Sequence, residues 1–128
     1  MPYTSQLLAD LKYSSDQFPS VIENDGSLTS LEQTTAWISA NLEPLKKELN
    51  ATGAILFRGF PVANAVDYDT FFSSFDYENF TYKESLSNAV RINHTEFVFT
   101  ANEAPKDVEI YLHNEMAQTP VFPSIISL

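Results

Sequence analysis

The stretch Gly53-Ala54-Ile55-Leu56-Phe57-Arg58-Gly59-Phe60, closed by Pro61, is a short, nearly continuous apolar run between turn residues. Such a run suits a β-strand, and its lack of alternation predicts burial on both faces. Helical patterns flank it. Upstream, Leu31, Ile38, Leu42, Leu45 and Leu49 recur at helical spacing, Ser30 and Gln33 form a capping box, and Asn50 with Gly53 supplies the stop. Pro44 lies inside this pattern, lacks a backbone donor and crowds the preceding turn, so the helix is expected to kink or divide near Glu43. Downstream, Asn64 caps a second helix with Asp67 three residues on, and Val66, Phe71, Phe72 and Phe75 form its expected buried face. These aromatics read as core packing. Helices and strands are both expected, which gives a mixed α+β content.

Farther out the pattern weakens. Residues 1–29 mix polar and apolar types around turn chemistry at Phe18-Pro19, Asn24-Asp25-Gly26 and Ser27. They read as an irregular N-terminal segment, with residues 30–128 as the main domain. Residues 76–106 are polar and loop-rich, although alternation over Val90 to Thr100, with Ile92, Phe97 and Phe99 among polar neighbours, predicts one strand. Pro105 and Asp107 then turn the chain into Val108-Glu109-Ile110-Tyr111-Leu112, a β-rich approach to His113, and Ile125 to Leu128 reads as the start of a further strand. There is no internal repeat.

Composition narrows the class. With 128 residues, 44% of them hydrophobic, the chain has enough apolar surface for one globular domain or part of one. Seventeen acidic against seven basic residues give a net charge of −10, which repels phosphate backbones and anionic bilayers, so neither nucleic acid nor a membrane is an expected partner. Without cysteine there is no disulfide, zinc-thiolate site or thiol nucleophile, and a reducing, cytoplasmic location is the expectation. Met1 to Lys12 lacks the features of a signal peptide, and the longest apolar run, Gly53 to Val66, is broken by Arg58, Gly59 and Pro61, short of the roughly 20 residues a span needs. Asn50-Ala51-Thr52, Asn79-Phe80-Thr81 and Asn93-His94-Thr95 match the glycosylation acceptor pattern and read as chance.

The chemistry-bearing pattern is His113-Asn114-Glu115, inside Tyr111-Leu112-His113-Asn114-Glu115-Met116. On a strand, side chains at i and i+2 share a face, so His113 and Glu115 would converge while Asn114 turns away. An imidazole and a hard carboxylate are two thirds of the 2-His-1-carboxylate triad of non-haem Fe(II). The only other histidine, His94, lies upstream. Spacing alone leaves a metal pair and an ordinary surface pair both open.

Three segments carry a resemblance: GAILFRGFP at 53–61, AVRINHTEFVFTANEAP at 89–105 and LHNEMAQTPVFPS at 112–124. Together, from about Trp37 to Ser124, they resemble the TauD/TfdA family of Fe(II)/2-oxoglutarate-dependent dioxygenases, and most of all its clavaminate synthase-like branch. The resemblance implies a double-stranded β-helix, or jelly roll, with Fe(II) held by His113 and Glu115 and chelated by 2-oxoglutarate. It implies oxidation at an unactivated C–H bond of a small-molecule substrate. In that setting Arg91, Asn93 and Thr95 are candidates to line the substrate entrance, and Met116 and Gln118 border the pocket. His94 reads as a plain polar histidine, and Arg58 as the partner of a carboxylate.

The family places a distal histidine, and an arginine that grips 2-oxoglutarate, well downstream of the first two ligands. Neither follows Glu115 before Leu128. The expectation is therefore a truncated N-terminal part of such a domain, its barrel incomplete, without turnover as an isolated chain, and with a second polypeptide as the candidate to complete it. Two readings compete with it: a non-catalytic acidic binding or regulatory module derived from such an enzyme, and, more weakly, a hydrolytic metal site.

Overall fold

A computed structural model describes residues 3–6, 18–80, 91–101, 103, 105–114, 116 and 119–128. The chain divides into two compact units, Met1–Phe75 and Asp76–Leu128.

The first unit contains β1 (Tyr3–Gln6), β2 (Ser20–Asn24), α1 (Leu31–Ala40), α2 (Leu42–Thr52), β3 (Ile55–Arg58) and α3 (Ala65–Ser73). Its sheet has the order β1-β2-β3. β1 pairs antiparallel with β2, from Tyr3 opposite Asn24 to Gln6 opposite Val21. β2 pairs parallel with β3, from Ser20 opposite Ile55 to Glu23 opposite Arg58. The central strand thus falls in the span read as irregular. Only Val21 and Ile22 carry its apolar signal, between turn residues, and a two-residue signal has no period to detect. Their burial is complete for Val21 and nearly so for Ile22.

β3 corrects the expectation for the Gly53–Phe60 run. Among the described residues it is an edge strand, and burial alternates along it: Ile55 and Phe57 pack on the core while Leu56 and Arg58 are exposed. Sequence composition marks a strand, whereas the layers packed on the sheet decide how many of its faces are covered.

The helices follow their local signals. Ser30 is extended, its hydroxyl accepts from the Gln33 N–H at 3.2 Å, and the Gln33 side chain accepts from the Ser30 N–H at 3.3 Å, completing the capping box. The long pattern divides at Asn41, just before the expected position. Pro44 is the third residue of α2, where a missing N–H costs nothing, and continuing α1 through it would have driven its ring against the Ala40 carbonyl. Asn41 closes α1 by donating from Nδ2 to the Trp37 carbonyl at 2.8 Å. Gly53 ends α2 in the left-handed region at φ 81°, its N–H donating to the Leu49 carbonyl at 2.8 Å.

α3 starts as expected: the Asn64 side-chain oxygen accepts from the N–H groups of Val66 at 2.9 Å and Asp67 at 3.0 Å. Its buried face is narrower than expected. Phe71 and Phe75 are buried and Phe72 is partly buried, but Val66 is 63% exposed because five residues carry it about 140° around the helix from Phe71.

One core joins these pieces: Ile22 of β2, Trp37 and Ile38 of α1, Leu45 of α2, and Phe71 of α3 with Phe75 after it. Phe57 bridges sheet and helix, its ring edge-on to Phe71 at 5.3 Å and to Phe60 at 5.6 Å. Burying Ile22 and Ile38 stabilises the unit by about 1.5–3 kcal/mol each. Asn24 ties the ends of two strands, donating from Nδ2 to the carbonyls of Leu28 and Gly59, both at 2.8 Å.

In the second unit the 91–101 segment is folded back on itself and does not form the single strand that alternation predicts. Asn93 and Phe99 form an antiparallel bridge, the Thr100 N–H donates to the Ile92 carbonyl at 2.9 Å, and the His94 N–H donates to the Val98 carbonyl at 2.8 Å. Val108–Leu112 and Ile125–Leu128 are not strands either. β-propensity does not make a ladder without a neighbour to bond, and both segments leave large apolar side chains exposed. Among the described residues, no helix is long and apolar enough to cross a membrane.

Candidate functional site

His113 is exposed, and its Nδ1 lies 2.7 Å from the carbonyl oxygen of Tyr111, two residues back. A carbonyl can only accept, so the proton of the neutral ring is on Nδ1 and the lone pair is on Nε2. A carbonyl on Nδ1 is the usual arrangement of a metal-ligating histidine, because it fixes both tautomer and ring orientation. The expected route to the pair is different in detail. The segment before His113 is not a strand, so its orientation comes from this local bond and not from a pleated ladder. Glu115 and Gln118 lie outside the described residues.

Met116 follows the pair. Its backbone has φ 56°, in the left-handed region, and its side chain is 2% exposed. The Met116 carbonyl accepts from the Thr119 N–H at 3.0 Å and is 3.3 Å from the Thr119 hydroxyl, which also contacts the Val121 carbonyl. Thr119 is itself buried, at 8% exposure. Its single hydroxyl proton therefore serves one of two carbonyls at a time. Sequence reasoning passed over Thr119; the signal that marks it is a hydroxyl residue just before Pro120, in a stretch with turn chemistry.

Arg91, Asn93 and Thr95 come together on the 91–101 fold-back. The Arg91 guanidinium donates to the carbonyls of Thr100, at 3.4 Å, and Ala101, and its carbon lies 5.3 Å from the centre of the Phe99 ring. The Thr95 hydroxyl accepts from the N–H groups of Phe97 at 3.2 Å and Val98 at 2.9 Å. Both side chains thus hold the turn, while that of Asn93 is exposed. His94 is exposed on the same turn, which agrees with a polar surface histidine. Arg58 is exposed on β3, opposite Glu23 in the register.

The donor chemistry of His113 fits a divalent first-row metal, one imidazole nitrogen being free and oriented. Among the described residues, no group of three or more His, Cys, Asp or Glu side chains is gathered for a metal.

No family model matches the chain. A clavaminate synthase-like protein of Arabidopsis thaliana is 38% identical to it over 117 residues, which cover 88% of this chain and 35% of the relative. The chain spans about a third of the length of that curated relative. The similarity supports a relation to clavaminate synthase-like proteins at that coarse level.

Proposed function

We propose that this chain is the N-terminal part of a clavaminate synthase-like Fe(II)/2-oxoglutarate oxygenase of the TauD/TfdA type, built on a jelly roll whose remaining strands lie outside these residues. The observation that carries the reading is the His113 ring, its Nδ1 proton held by the Tyr111 carbonyl so that Nε2 presents a lone pair. The similarity to the plant protein supports the same reading.

In this reading His113 and Glu115 hold the iron. The bound iron and 2-oxoglutarate supply the oxidising chemistry at a C–H bond of a small-molecule substrate. The chain's own residues do the rest that can be assigned. Tyr111 keeps His113 in the ligating tautomer. Arg91 and Thr95 stiffen the fold-back that presents Asn93 to solvent, a candidate for the substrate entrance. Two protein ligands bind iron more weakly than three, so a partner polypeptide or the remainder of the domain completes the site for turnover.

Ferrous iron titrated anaerobically into the 128-residue chain, followed by calorimetry, tests this. Binding should weaken by more than about tenfold in His113→Ala and likewise in Glu115→Ala. Equal binding by all three chains would sink the metal reading and leave the non-catalytic acidic module in its place.

A further inference from the structure

We draw no further inference here: the strongest candidate, the exposed apolar patch of Val108, Ile110, Tyr111 and Leu112 in the second unit, carries nothing because nothing in the structure shows what covers it.

Discussion

Gly53 and Asp25 show how single residues set the first unit. At Gly53 the backbone is left-handed, and an added Cβ would meet only the Phe18 ring, at an ordinary 3.8 Å. The cost of Gly53→Ala is therefore conformational, about 1 kcal/mol, and a denaturant midpoint should fall with an unchanged slope. Asp25 accepts from the Ser27 N–H at 2.9 Å, and bonds from the Ser27 side chain and backbone hold its carboxyl below the usual carboxylate range. A depressed folded-state value means that the unfolded chain takes up the proton first. The contribution is present above the unfolded value and is lost as pH falls through the folded one. In an NMR titration the Asp25 carboxyl should have its midpoint below the ordinary value of about 3.9, and Ser27→Ala should move it upward. At this scale the site was partly legible. A histidine and a carboxylate two apart are visible in a sequence, but the Tyr111 carbonyl behind His113 is not, because a backbone acceptor has no letter of its own. Thr119 was hidden for a related reason: its partners are carbonyls.

Among the elements, those with a local chemical signature were readable and those defined by pairing were not. The capping box at Ser30, the Asn64 cap and the glycine stop at Gly53 each satisfy groups within a few residues, so their sequence is sufficient. Removing them should cost accordingly: Ser30→Ala and Asn64→Ala about 1 kcal/mol each in equilibrium unfolding. β2 was missed because its stability comes from both neighbours in the sheet. The segments at Val108 and Ile125 are the opposite case, since β-branched and aromatic residues express a preference that only a partner can realise. α3 shows a third case, in which the helix was clear but its buried arc was drawn too wide. Phe71→Ala should destabilise by about 3–5 kcal/mol, while Val66→Ala, on the exposed side, should change stability by less than about 0.5 kcal/mol. A thermal melt of the two variants checks the contrast.

For the whole molecule, charge and exposed apolar surface act against each other. Val108, Ile110, Tyr111, Val121 and Phe122 are all exposed, Tyr111 at 74%, in a chain with a net charge of −10. Mutual repulsion keeps such chains apart at low ionic strength, and salt screens it within about 10 Å at 0.1 M. Binding of a hydrophobic dye and light scattering should therefore both rise with added salt, and Tyr111→Ser with Phe122→Ser should blunt the rise. If scattering is independent of salt, charge is not what keeps the chains apart.

The parallel pairing of β2 with β3 sets an order of events in time. Two parallel strands cannot be joined by a tight turn, and here the whole of α1 and α2 lies between them. β1 and β3 flank β2, so the sheet stays two-stranded until that helical stretch has brought Ile55 back beside Ser20. Loop closure over such a distance is slow unless the intervening chain has already condensed. The rate at which this unit folds is thus set in α1 and α2, while the lifetime of the folded state is set at β3. Substitutions in the two helices should slow refolding, and Phe57→Leu should chiefly hasten unfolding.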